Sequence, residues 1–234
     1  SLKRILKEIK GRNSLIVVDG IFSMEGDIAN LPVIIELAEK YNAEVMVDEA
    51  HSLGVLGNKG AGTTAHFGLT DKTAFIMGTF SKSLASVGGF IAADEAIIHY
   101  LKHKSRALIF SASLPPASTA SVLAALKIMQ EEPERIAKLW ENTNYMLKEF
   151  QAMGYNTGTS CTPVVPLHIG NMMTTFNMWR RLGEEGVFIN PVVPPAVPPS
   201  SCLIRTSFMA THTKDQLDMA LEKFRMIGKE LNII

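Results

Sequence analysis

Three short apolar runs constrain what this chain can fold into more than anything else in it. SLIVVD (residues 14–19), AEVMVD (43–48) and TAFIM (73–77) are rich in β-branched and large apolar residues and too short for helices. Continuous apolar runs of this length read as strands buried on both faces, the habit of parallel sheets. Between the first two lie a loop at 20–30, with Gly26 and Asp27 as turn residues, and a helix that Pro32 opens and that runs to about Tyr41. Strand, helix, strand is the repeating unit of α/β sheets. The second run also ends on an acid, Asp48, which packing alone does not require.

The remaining elements follow from period and breakers. Leu2, Ile5, Leu6 and Ile9 recur at helical spacing until Gly11-Arg12-Asn13. GGFIAA (88–93) reads as a further strand, 94–104 as a helix, 108–110 as a short strand, and 117–130 and 134–153 as long helices. From Gly154 the rhythm changes: strand 163–169, helix 174–185, strand 187–190, an extended proline-rich loop 191–201, strand 202–208 and helix 214–231. The expected organisation is a large α/β domain over 1–132, with a mostly parallel sheet flanked by helices. A smaller α+β domain follows over 133–234, the boundary lying where charge and proline cluster at 131–133.

Composition removes several classes. Lys plus Arg and Asp plus Glu are both 23, so the basic excess of a nucleic-acid binder is missing. No apolar run is long enough for a spanning helix. Cys161 and Cys202 lack metal-ligand spacing and read as free thiols of a reducing, cytoplasmic compartment, a disulfide between them being the alternative. The first residues carry no secretory leader pattern.

Open α/β sheets bind ligands at the carboxyl ends of their strands, and Asp48, His51 and Lys82 all fall there. Singly, Asp48 reads as a cap or turn residue, His51 as structural and Lys82 as a solvated lysine. Together they match what pyridoxal 5'-phosphate requires: a lysine for the covalent link and a carboxylate to keep the pyridine nitrogen protonated. Thr79 and Ser81 flank the lysine and offer hydroxyls to a phosphate. Gly88 and Gly89 allow close backbone approach.

Five segments in order carry a resemblance. They are VDGIFSMEGD (18–27), VDEAHSLGVLG (47–57), GTFSKSLASVGG (78–89), FSASLPP (110–116), and NPVVPPAVPP (190–199) followed by LIRTSFMATHT (203–213). This set resembles the α-oxoamine synthases, fold-type I pyridoxal phosphate enzymes that condense an amino acid with an acyl-CoA and release carbon dioxide. The resemblance implies that Lys82 anchors the cofactor and later acts as base at the substrate Cα. It implies that Asp48 binds the pyridine nitrogen and that His51, helped by Ser23, bonds the phenolic oxygen. Thr79 and Ser81 are implied to bind phosphate, and Ser111 to reach the phosphate of a neighbouring subunit, because family sites are shared across a homodimer. Arg205 is implied to hold the amino-acid carboxylate, which a guanidinium fork suits, and the proline-rich loop to close over the substrate.

Within the family, the lysine motif is similar to the serine palmitoyltransferase branch, implying serine and palmitoyl-CoA as substrates. Glycine C-acetyltransferase and 8-amino-7-oxononanoate synthase are the alternative enzymes. An inactive partner subunit or fragment is the alternative without activity, against which Lys82, Asp48 and His51 argue. Peripheral membrane contact stays open. Family members also carry, ahead of the matched segments, a glycine-containing phosphate turn and a residue that stacks on the cofactor ring. His66, His99 and His103 lie in the wrong context to replace that residue, so the chain reads as a C-terminal part with an exposed sheet edge.

Overall fold

The computed structural model describes residues 1–234. The chain folds as two units, residues 1–21 with 29–133, and 22–28 with 134–234. No helix is long and apolar enough to cross a membrane.

The first unit opens with α1 (Leu2–Glu8), β1 (Leu15–Asp19), α2 (Leu31–Tyr41) and β2 (Glu44–Asp48). A glycine-rich segment then leads through α3 (Thr63–His66) to β3 (Phe75–Thr79) and β4 (Gly89–Ala92). Helices α4 (Glu95–Lys104), α5 (Arg106–Ile109) and α6 (Pro116–Glu131) complete it. The sheet order is β1-β2-β3-β4, with β1–β2 and β2–β3 parallel and β3–β4 antiparallel. Its core is small: Leu31, Ile35 and Ala38 of α2 pack on Val45 and Val47 of β2, joined by Ile16 and Val18 of β1.

Two expectations are corrected here. Strand 14–19 is buried on one face only, and Val17, on the face away from α2, is 61% exposed. A continuous apolar run matches a strand covered on both faces, but α2 supplies one layer. Residues 108–110 are not a strand. The amides of Leu108 and Ile109 both donate to the Ser105 carbonyl, at 3.1 and 3.0 Å, which closes a single helical turn, and Phe110 beyond it is 78% exposed. A three-residue apolar run has no readable period, and local hydrogen bonding decided it.

The second unit contains α7 (Glu134–Met153), β5 (Val164–Gly170), α8 (Met172–Glu184), β6 (Asn190–Val192), β7 (Cys202–Ser207) and α9 (Lys214–Glu230). The antiparallel sheet runs β5-β7-β6. Phe150 of α7, Met178 and Leu182 of α8, and Leu221, Phe224 and Ile227 of α9 pack against Val165, Leu167 and Ile204 of the sheet. Phe150, Tyr155 and Phe224 meet edge to face. The expected strand at 187–190 is instead Asn190–Val192. Val187 and Ile189 enter the core unpaired, and pairing with β7 begins at Asn190 opposite Arg205. Pro191 is tolerated because β6 is an edge strand and needs no second ladder. The proline-rich segment after it is not extended: Ala196 N–H donates to Val193 O and Ser201 N–H to Pro198 O, and buried Val197 packs with Val192 and Leu203.

Candidate functional site

In the first unit the site is laid out by strand register. Asp19 lies opposite Asp48, and Asp48 opposite Met77. Side chains alternate along a strand. Val18 and Val47 therefore face α2, while Asp19, Asp48, Met77 and Thr79 point to the other face. Asp48 is oriented by the Ala50 amide, which donates to its Oδ1 at 2.8 Å and leaves the second oxygen available. Gly20 N–H donates to the Asp48 carbonyl at 2.8 Å and fixes the two strand ends together.

The turn after β2 holds half-buried His51 and is organised by Glu49. This carboxylate is 1% exposed and accepts from Ser52 Oγ, from Thr63 N at 2.7 Å and from Thr64 N at 2.8 Å. It thereby caps α3 and closes the loop that carries His51. Gly20 sits against the cluster: a Cβ there would meet Thr63 Oγ1, Glu49 Oε2 and Ser52 Oγ. Thr63 Oγ1 is itself buried without a hydrogen-bond partner.

After β3 the chain makes a closed loop. Phe80 N–H donates to Gly88 O at 2.9 Å, Ser86 N–H to Phe80 O at 2.8 Å and Ala85 N–H to Lys82 O at 3.0 Å. Ser83 Oγ donates to Leu53 O at 2.6 Å, and buried Leu84 anchors the loop from inside. Lys82 stands exposed on this frame. Thr79 Oγ1 and Ser81 Oγ are 2.8 Å apart, and Thr79 Oγ1 also reaches Gly88 O at 3.2 Å. Gly78 is required because the Phe90 ring occupies the space of a Cβ. Ser111, just past α5, donates to Ala107 O and is exposed.

Electrostatics join three of these groups. Partial burial, then the Asp48 charge, pushes the Asp19 carboxyl above its ordinary value, and Lys82 opposes them. Asp48, Thr79, Ser81 and Lys82 thus share the carboxyl end of one sheet, as expected, with His51 in the adjoining turn. Asp19 and Glu49 went unread in the sequence. Asp19 carried the same signal as Asp48, an acid closing an apolar strand. Glu49 carried none, since two of its three donors lie fourteen and fifteen residues away.

In the second unit, segment 22–28 is tied down by Thr159 Oγ1 donating to Asp27 Oδ1 at 2.7 Å and by Thr162 Oγ1 donating to Gly26 O at 2.8 Å. It presents the Ser23 carbonyl to Arg205 Nε at 2.7 Å. Arg205 lies on β7, the central strand, between Pro166 and Asn190. Burial pushes its guanidinium below the ordinary value, and it pairs with no carboxylate of the chain. One edge of the fork is thus held by the backbone.

Residues 1–224 match the family described as aminotransferase class I and II. The chain is 56% identical over 220 residues to a serine palmitoyltransferase of Bacteroides ovatus, covering 94% of this chain and 56% of that protein. It is 47% identical over 234 residues to an 8-amino-7-oxononanoate synthase of Thermosipho melanesiensis, covering all of this chain and 60% of the relative. Among solved structures, a serine palmitoyltransferase from S. paucimobilis with bound PLP–myriocin aldimine matches with a TM-score of 0.95 at 33% identity, covering 100% of this chain and 59% of that one. The chain therefore spans a little over half the length of the relatives it matches.

Proposed function

The chain belongs to the aminotransferase class I and II family and carries the fold-type I architecture, and from that premise we propose that the protein is a pyridoxal phosphate-dependent acyltransferase that joins serine to palmitoyl-CoA. The observation that carries the substrate choice is the 56% identity to the Bacteroides ovatus serine palmitoyltransferase. The 8-amino-7-oxononanoate synthase reading is second, supported by 47% identity across the whole chain. The net reaction joins the amino acid's Cα to the acyl carbonyl carbon and releases CoA and carbon dioxide, giving 3-ketodihydrosphingosine. The protein works as a cytoplasmic homodimer with shared sites. The exposed apolar side chains Leu108, Phe110 and Leu123 of the α5–α6 region support a second copy there.

The donor set fits the cofactor. Lys82 supplies an accessible amine, Asp48 a carboxylate oriented by a backbone amide, and Thr79 and Ser81 two adjacent hydroxyls. Pyridoxal phosphate, when bound, supplies an electron-withdrawing ring that stabilises negative charge at the substrate Cα. Asp48 would keep the ring nitrogen protonated through a charge-assisted hydrogen bond worth about 1.5–3 kcal/mol. His51 and Ser23 orient the ring through its phenolic oxygen. Thr79, Ser81 and the partner copy's equivalent of Ser111 hold the phosphate, and each needs a donor free to turn toward it. Lys82 would hold the cofactor covalently and would serve as the base for the Cα proton of the amino acid. Arg205, half-buried and lacking a chain carboxylate, holds that of the substrate, and the loop after β6 excludes water above it.

The test is made on the full-length protein. Borohydride should fix the cofactor on Lys82, and serine with palmitoyl-CoA should give the long-chain amino ketone. A reduced peptide mapping to another lysine ends the cofactor assignment, whereas turnover only with a different amino acid and acyl-CoA moves the protein to another branch.

A further inference from the structure

The proposed function leaves one charged group at the ligand end of the first sheet unused. Asp19 lies in register with Asp48 on the neighbouring parallel strand, and the Gly20–Asp48 backbone hydrogen bond keeps the two strand ends from separating. Both carboxylates point to the face away from α2. Beyond its backbone pairing in the ladder, Asp19 makes no side-chain hydrogen bond within the chain, so it is neither a cap nor a turn tether.

We propose that Asp19 is a positioning residue for the cofactor site, a second carboxylate that acts through Asp48 and Lys82 to hold positive charge at the carboxyl end of the sheet. The inference rests on the cofactor reading above. Two carboxylates side by side repel, and such a pair persists where cations lie against it. From β2 the group facing Asp19 is Asp48, and from the loop after β3 it is Lys82. Glu49 points to the opposite face and is fully engaged by Ser52, Thr63 and Thr64. Glu36, Glu39 and Lys40 belong to α2, which packs on that opposite face, and His51 lies in the turn beyond Asp48. The formal sum of Asp19, Asp48 and Lys82 is minus one, so the cluster accommodates one further positive charge, which a protonated ring nitrogen supplies.

The sign of the Asp19 shift supports a functional over a structural role. A carboxyl raised in the folded state contributes stability below its unfolded value, 3.8, that is lost as pH rises through the folded value. In its ionised form the group therefore works against the fold.

The experiment compares wild type, Asp19→Asn and Asp19→Glu in the full-length protein loaded with pyridoxal phosphate, following the pH midpoint of the bound cofactor's visible absorbance. Asp19→Asn should lower that midpoint by about half a unit or more, the size expected when one neighbouring charge is removed, and Asp19→Glu should restore it. An unchanged or raised midpoint in Asp19→Asn, with the cofactor still on Lys82, overturns the inference and leaves the cofactor reading intact. Failure of the wild type to load on Lys82 overturns both. Thermal unfolding of the cofactor-free proteins covers the case in which Asp19→Asn does not load. Equal or higher stability of the variant at pH 7 supports the inference, and lower stability makes Asp19 structural and overturns it.

Discussion

At the residue scale the carboxyl end of the first sheet depends on two acids that do different work one position apart. Asp48 faces the open side and keeps an oxygen available, whereas Glu49 faces inward and spends its carboxylate on Ser52, Thr63 and Thr64. A fully buried carboxylate is tolerable only because donors surround it. Removing it leaves two helix N-terminal amides and a hydroxyl unsatisfied in the interior, and hydrogen bonds to a charged group are worth about 1.5–3 kcal/mol each. Glu49→Ala should therefore destabilise the first unit by about 3 kcal/mol or more. Glu49→Gln, which keeps one acceptor oxygen but brings an amide nitrogen to face a donor, should cost about 1–3 kcal/mol. Denaturant midpoints measured by circular dichroism check both, and a Glu49→Ala protein as stable as wild type would show that the cluster holds nothing together. The loop bearing His51 loosens with Glu49, so the alanine variant should also bind pyridoxal phosphate more weakly.

At the element scale the entry to α9 shows how the second unit fixes one of its long core helices. Thr213 accepts from Gln216 N while Gln216 Oε1 accepts from Thr213 N, a reciprocal capping box. The turn before it is held from α7, where buried Asn142 donates to Met209 O and His212 O at 2.9 and 3.0 Å. Met209 N–H donates to His212 Nδ1 at 3.3 Å, so that nitrogen must be unprotonated. Burial also lowers the His212 imidazole from its ordinary 6.5. For a base lowered on folding, the stabilisation is present above the unfolded value and declines as pH falls below 6.5. Wild type should thus lose stability between pH 7 and pH 5.5 more steeply than His212→Asn, whose side-chain oxygen still accepts from Met209. Parallel slopes in urea titrations at the two pH values would refute this. Capping of this kind was open to a sequence reading, because Thr-x-x-Gln before an amphipathic run is a local signal, and so were the long helices and the strands ending at Asp48 and near Lys82. Three apolar residues at 108–110 or 187–189 carry no such period: one set became a helical turn, the other an unpaired approach to β6. Glu49 and the Arg205–Ser23 bond join residues far apart in sequence, so no window of the chain displays them.

At the scale of the whole molecule, charge balance and exposed apolar surface act together. The formal net charge is zero with all six histidines neutral, and the sequence isoelectric point is about 7.0. Val17, Val87, Leu123, Phe110 and Phe188 all stand largely exposed. Net charge is what keeps such surfaces apart in solution, and near neutrality it is missing. The response to pH is asymmetric. Histidine as a residue type gains charge on mild acidification, whereas lysine as a type does not lose it in mild alkali, so acid changes the balance more. The 234-residue chain should therefore scatter light strongly from about pH 7 to pH 9 and much less at pH 6 in low salt, with circular dichroism confirming that the fold is intact at pH 6. About 0.15 M salt should remove most of that gain, because it screens charges beyond about 8 Å. Scattering that is equal at pH 6 and pH 8 in low salt would mean that the apolar faces, and not the absent net charge, govern association, and substitutions at Val17 or Phe188 would then be the effective route to a soluble chain.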